Sequence, residues 1–316
     1  MRISTQSQIS IMANSAVNNN TEQLKLGEQL NSGKRINSPS EDPISSTMFM
    51  QLESENLKLE QYDKNILTVK NNIKIQEVNI ESASEMMGEI KNVLIKAQLP
   101  SNSADDYKSY AQEIDNKTNF LVEILNKKNM DGRYIYSGTM TGEKPVIYNI
   151  VSQKYEYKGN ESIREIIVGN GMTEKDGAQL HHAFASASAS ASASASASEQ
   201  MKVLTDLKAL SKKLINSGAS SSADIQTSID SVEIAASKLD GIVGDFISRK
   251  ANLDILQSTQ KQTKQSNVEF GKSLVGMTVI EQGMLKVRSQ EYLNVLTGTM
   301  KMHIKMTQFS IFNLMS

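Results

Sequence analysis

Residues 66–97 read ILTVKNNIKIQEVNIESASEMMGEIKNVLIKA, and their spacing decides the fold. Ile66, Ile73, Ile80, Met87 and Leu94 recur every seven residues. Val69, Ala83, Ile90 and Ala97 fill the three-residue offset, and only Gln76 breaks it. A heptad of this kind lays one apolar seam along a helix, as in a coiled coil. Pro100 ends the run. Ser103, with Asp106 three residues on, predicts a capping box with Asp in place of the usual Glu. The next helix carries Tyr107, Ala111, Ile114, Thr118, Leu121 and Leu125 at alternating four and three spacing. The short connection makes the two helices an antiparallel hairpin.

A matching pattern returns later in the chain. Val203, Leu207, Leu210 and Leu214 mark a short helix closed near Gly218. A second long seam follows at Ile225, Ile229, Val232, Ala236, Leu239, Val243, Phe246 and Leu253. Gly241 and Gly244 sit inside it, each at a cost of roughly 1 kcal/mol against Ala, and allow a close helix approach. The polar stretch 257–267 continues as an exposed helix. The 66–125 and 225–253 stripes can satisfy one another.

Between the two patterns the chemistry changes. From Asn129, Gly and Tyr become dense. Tyr134–Ser137, Val146–Val151, Tyr155–Lys158 and Ile163–Val168 read as short strands separated by Gly, Pro or Asn. The span to about Phe184 is then a small β-rich domain. Residues 185–198 are seven consecutive Ala-Ser pairs. They lack the apolar surface to offset ordering entropy, which makes them a flexible linker. A frayed helix or silk-like strands are the alternatives for that composition.

The ends carry stripes without a hairpin partner nearby in sequence. Residues 7–30 read as a helix with Ile9, Ala13, Val17 and Leu24 near one face. Gly33 and Pro39 punctuate the chain, and Ser40, Asp42 and Pro43 restart a helix. From Val275 the tail carries Val279, Leu285, Tyr292, Leu296 and Met300, then Phe309, Ile311, Phe312 and Leu314. It is rich in Met, whose flexible thioether packs imperfect contacts. Isolated helices of this kind are marginal in water. They pair with each other, with neighbouring subunits, or with both, and so complete their burial on assembly.

Composition narrows the function. The 316 residues hold 5% aromatics and no Trp, which suits narrow helical stripes better than a large globular core. The net charge of −1 gives no field that draws nucleic acid or an anionic membrane. Without Cys there are no disulfides, thiolate metal sites or Cys nucleophiles. No apolar run approaches the ~20 residues of a membrane helix, so no membrane insertion is expected. The start lacks the apolar core of a cleaved secretory signal.

Catalytic raw material is scarce. Of three histidines, His181-His182 read as surface loop residues, because no carboxylate or further His lies at ligand spacing in sequence. His303 reads as a packing or surface residue. Glu161 and Glu165 read as a solvated face. Gly169-Asn170-Gly171 is a turn, and Gly33-Lys34-Arg35 lacks the upstream Gly and the Ser or Thr of a phosphate loop. The Tyr residues are expected to serve core and cross-strand pairing. A carbohydrate-binding or enzymatic outer domain would have to use the Tyr-rich span 134–157. No catalytic, cofactor-binding or metal residue is expected.

Three stretches carry a family resemblance. The start MRISTQ, the segment Asn31-Ser-Gly-Lys-Arg-Ile-Asn-Ser-Pro-Ser-Glu-Asp-Pro43 and the tail Ser310-Ile-Phe-Asn-Leu314 resemble the flagellin superfamily. Residues 129–138, NMDGRYIYSG, look like a junction between stem and outer domain in that superfamily. The Pro39–Pro43 wording differs from filament flagellin, where the stretch usually runs AKDDAAG. Phe246 stands where a family Val-Gly-Ala-Arg segment has Arg. The resemblance implies an elongated, mainly α fold, an antiparallel coiled-coil bundle formed by both chain halves, with a small β-rich domain inserted. It implies a non-enzymatic, cofactor-free adapter at the hook–filament junction of the bacterial flagellum, with a minor filament flagellin as the alternative. It also implies self-association in a ring between hook-associated protein 1 and flagellin. Export would run through the flagellar type III apparatus on an uncleaved signal, with a chaperone on the C-terminal helix.

On this reading the chain divides into an N-terminal assembly helix and bend (1–43), stem helices (44–130), an outer domain (131–184), the linker (185–198), returning stem helices (199–270) and a C-terminal assembly helix (271–316). Ile9, Val17, Leu24, Leu30, Gly33, Lys34, Arg35, Pro43, Leu285, Tyr292, Leu296, Phe309, Phe312 and Leu314 are the expected assembly residues.

Overall fold

The computed structural model describes residues 5–185, 199–217 and 222–314. The described residues form α1 (Thr5–Ser32), α2 (Pro43–Ala97), α3 (Ala104–Leu125), α4 (His181–Phe184), α5 (Lys202–Ser217), α6 (Ser222–Val275) and α7 (Val279–Leu314). Four strands, β1 (Val146–Asn149), β2 (Lys154–Tyr157), β3 (Glu165–Gly169) and β4 (Met172–Lys175), lie between α3 and α4. The fold is a mainly helical bundle with a small β part, as the heptads predict. The chain divides into two units, residues 60–259 and residues 1–59 with 260–316.

In the 60–259 unit the heptad positions are the core. Ile66, Val69, Ile73, Ile80, Met87, Ile90, Leu94 and Ala97 are all fully buried. Each buried large aliphatic side chain contributes roughly 1.5–3 kcal/mol over an exposed one. The α3 stripe of Ala111, Ile114, Thr118 and Leu121 meets them, with the buried Thr118 hydroxyl donating to the Ile114 carbonyl at 2.7 Å. The Ser103–Asp106 capping box forms as predicted. The Ser103 backbone N–H and hydroxyl both donate to the Asp106 carboxylate, holding its pKa below the usual carboxylate range.

Polar pairs at the rim set the register of α2 against α6. Lys70 meets Asp254, Glu77 meets Lys250 at 3.0 Å, Ser84 meets Asp240 at 2.7 Å and Lys91 meets Glu233 at 3.3 Å. The first number rises as the second falls, so the helices are antiparallel. The α5 helix lies against α3 in the same sense, through Asp115–Lys208 and the Ser211 hydroxyl on the Ala111 carbonyl at 2.9 Å. The 225–253 stripe is buried at Ile225, Ile229, Val232, Leu239, Phe246 and Leu253. Gly241 and Gly244 differ from expectation. Open space faces both, so neither permits a close approach.

The strands form two antiparallel hairpins rather than one sheet. Tyr148 pairs with Tyr155 across β1–β2, with their rings edge to face at 5.0 Å, so Tyr serves cross-strand packing there. Residues 134–137, read as a strand, make only an isolated bridge from Tyr134 to Lys128. Gly132 and Gly138 take positive φ on either side and bend the chain out of any ladder. The β4 strand escaped the sequence reading, because Met172-Thr-Glu-Lys175 has no apolar alternation. Gly169-Asn170-Gly171 is the β3–β4 turn, with Gly171 at φ +70°.

Gln76 shows why the heptad breaks where it does. Its side-chain amide donates to the Asp176 carbonyl and accepts from the Ala178 N–H, both at 3.1 Å. Asn72 reaches the Asp176 carboxylate at 2.7 Å, and Asn65 reaches the Ile167 carbonyl at 2.6 Å. Arg249 of α6 bonds the Glu174 carboxylate at 2.8 Å and the Gly177 carbonyl at 3.2 Å. A polar residue inside the seam is thus the anchor of the second hairpin.

Candidate assembly surface

The 1–59 and 260–316 unit is built on α1, α7 and the two bends that precede α2 and α7. The segment 33–42 between α1 and α2 is a hydrogen-bonded loop. Gly33 closes α1 at φ +67°, a conformation that favours glycine, with its N–H on the Gln29 carbonyl at 2.9 Å. The Gln29 amide then donates to the Arg35 carbonyl at 2.8 Å. Ser32 donates to the Asn37 side chain at 2.7 Å, and the Glu41 carboxylate accepts from the Asn37 N–H at 3.0 Å. Asp42 caps α2 with Pro43 in its first turn. The Ser45 hydroxyl and N–H donate to the Asp42 carboxylate, holding its pKa low.

The second bend, residues 276–278, lies against the first. The Arg35 N–H donates to the Val275 carbonyl at 2.7 Å, and the Met277 N–H donates to the Gly33 carbonyl at 3.1 Å. The Arg35 guanidinium adds a bond to the Leu274 carbonyl at 3.1 Å, and Lys34 sits over the Phe49 ring at 5.0 Å. Thr278 and Glu281 form a capping box on α7. The Thr278 N–H and hydroxyl hold the Glu281 carboxyl below its usual range. Gly33, Lys34 and Arg35 therefore join the chain's two bends in one backbone bridge.

The terminal helices pack on each other within the single chain. Met12, Ala16, Asn19, Gln23, Leu26 and Leu30 are the packed positions of α1, at alternating four and three spacing. Leu285, Ser289, Tyr292, Leu296, Thr299 and His303 are those of α7. Gln23 donates to Ser289 across the seam at 2.8 Å. The sequence placed Val17 and Leu24 in the stripe of α1, but both face solvent, 64% and 62% exposed. Ala13 is exposed as well. The seam is partly polar at Asn19 and Gln23, so apolar spacing alone could not find it. On the outer faces lie Ile11, Val17 and Leu24 of α1, and Ile280, Met284, Val287, Val295 and Met302 of α7. Pro43 is also exposed. The side chains of Ile9, Phe309, Phe312 and Leu314 lie outside the described residues, as does the Ala-Ser tract beyond Ala185.

One expectation in the β-rich region is overturned. His181 and His182 are not loop residues on the surface; they lie in α4, and His181 is 1% exposed. Its ring stacks on Tyr157 at 4.1 Å. Burial, with His182 alongside, pushes the His181 imidazole down to about 3, so it is neutral at pH 7.

Residues 3–141 match the model of the bacterial flagellin N-terminal helical region. Over those residues the chain is similar to the flagellins, and its helical bundle agrees with that likeness. Among curated proteins the chain is similar to flagellar hook-associated protein 3. The Salmonella typhimurium LT2 relative is 26% identical over 194 residues, covering 56% of this chain and 61% of the relative. The Escherichia coli K12 relative is 31% identical over 171 residues, covering 52% of this chain and 51% of the relative. The match thus spans about half to three-fifths of each relative. A Vibrio parahaemolyticus structure described as a flagellar hook-associated protein shares the fold. Its TM-score is 0.66 at 21% identity, covering 75% of this chain and all of that one. No described helix is long and apolar enough to cross a membrane.

Proposed function

We propose that this chain is a structural component of the bacterial flagellum, an adapter that joins the hook, through hook-associated protein 1, to the flagellin filament. It acts by assembly and not by catalysis. The observation that carries this reading is the terminal helix pair. Its two helices satisfy each other along one seam and leave apolar side chains on their outer faces. Apolar surface of this kind is stabilised when neighbouring subunits cover it. Similarity to hook-associated protein 3 supports a place in the flagellum.

In this reading Val17 and Leu24 meet neighbouring copies in a ring, and Phe309, Phe312 and Leu314 take part in assembly. Leu30, Leu285, Tyr292 and Leu296 hold the helix pair together. Gly33, Lys34, Arg35 and Pro43 set the angle at which the assembly helices leave the rest of the chain. A type III export chaperone covers the C-terminal helix before export. A deletion strain tests the function. Hooks without filaments, with flagellin shed into the medium, are expected. Normal attached filaments would overturn it and favour a minor filament flagellin.

A further inference from the structure

Three side chains with metal-ligand chemistry meet in the β-rich region of the 60–259 unit. Glu161 comes from the segment between β2 and β3, and His181 and His182 come from α4. One ligand atom from each lies within 4.8 Å of the other two. Spacing along the chain does not reveal this grouping, because Glu161 stands twenty residues before His181.

His181 is the second, independent observation. Its side chain is all but completely buried, yet neither Nδ1 nor Nε2 has a hydrogen-bond partner. A neutral imidazole carries one donor and one acceptor. Leaving such groups unpaired inside a protein is destabilising, because their desolvation goes uncompensated. Stacking on Tyr157 fixes the plane of the ring but satisfies neither nitrogen. The neighbouring ring is already oriented. His182 Nε2 lies 2.9 Å from Gln179 Oε1, a bond that puts the proton on Nε2 and frees the Nδ1 lone pair. The same Gln179 amide donates to the Glu161 backbone carbonyl, so one side chain ties the Glu161 loop to His182.

We propose that Glu161, His181 and His182 form a binding site for a divalent metal of the zinc class, with water in the fourth position. Two imidazoles and one carboxylate suit a tetrahedral zinc-type ion, whereas magnesium and calcium prefer all-oxygen sets. Metal–ligand bonds of about 2.0–2.2 Å place neighbouring ligand atoms roughly 3.4 Å apart. From separations within 4.8 Å, the cluster therefore closes by at most about 1.4 Å, and the exposed Glu161 is the member free to move. The bound ion satisfies the orphaned His181 nitrogen and pins the Glu161 loop to α4. This site goes beyond the junction reading and does not depend on it.

Calorimetric titration of the chelator-treated full chain with Zn²⁺ tests the site. One equivalent is expected to bind with Kd of about 10 µM or tighter, and Co²⁺ is expected to give the visible absorption of a four-coordinate ion. Glu161→Gln and His182→Gln should each weaken binding by about tenfold or more with unchanged far-UV circular dichroism. His181→Phe, which keeps an aromatic ring on Tyr157, should abolish it. Absence of saturable binding, or unchanged binding in the Glu161 and His182 variants, would overturn the site even if the His181 variant failed to fold.

Discussion

Gly138 shows how one residue fixes the start of the β-rich region. Its φ of +69° is unfavourable for L side chains, and an added Cβ would meet Asn160 Oδ1 and the Asn160 and Ser162 carbonyls closer than real contacts allow. Asn160 cannot retreat cheaply, because it accepts from the Thr139 N–H at 2.9 Å and its amide donates to the Thr139 hydroxyl at 2.6 Å. Gly132 has the same backbone hand, φ +75°, but open space around it. Gly132→Ala should therefore cost about 1–2 kcal/mol from backbone strain alone. Gly138→Ala should cost clearly more, about 3 kcal/mol or above, since a clash adds to the strain. Urea unfolding of both variants checks this, and equal losses would refute the steric account. The motif residues Asn31–Pro43 were legible at this scale, because Gly, Pro, Ser and Asp each announce a turn or a cap. Glu161 and His181 were not, since their grouping depends on distant backbone.

Helix starts are the element-scale feature with a clear pH signature. Carboxylates of Asp42, Asp106 and Glu281 cap α2, α3 and α7 and accept from backbone and hydroxyl groups. Each has its pKa depressed in the folded chain. A depressed folded pKa means that the stabilisation is present above the unfolded value and is lost as pH falls through the folded one. Stability should therefore decline as pH drops below about 4, the ordinary carboxylate range. Denaturant midpoints measured between pH 7 and pH 3 test this. Asp106→Asn should flatten part of the decline, and a variant with the same acid dependence as the parent would show that the cap does not contribute. Glu77 adds to the decline, because its bond to Lys250 holds its pKa down as well. The capping box and the α2 heptad were readable in advance because both are local patterns. The polar seam between α1 and α7 was hidden because Asn19, Gln23 and Ser289 carry no apolar signal.

On the proposed junction role, assembly of the whole molecule should be separable from folding. Val17 and Val287 face outward, so introducing charge there leaves the helix seam intact. Val17→Glu and Val287→Glu should change monomer stability by less than about 0.5 kcal/mol while abolishing filament attachment. Motility assays beside thermal unfolding of the purified chain decide it. Wild-type motility in both variants would show that these faces stay uncovered in the flagellum.

Sequence alone determined the helical class, the long α2 and α6 seams, the α3 cap, the bend motif and the flagellin resemblance. All of these arise from short-range periodicity or from residues with fixed local conformational preferences. Tertiary structure alone decided which face of α1 meets α7, because that seam mixes polar and apolar residues. It also decided that Gln76 anchors a hairpin, that Gly241 and Gly244 face open space, and that Glu161 joins His181 and His182. Those facts depend on residues far apart in the chain being brought together, and spacing along the sequence carries no record of such distances.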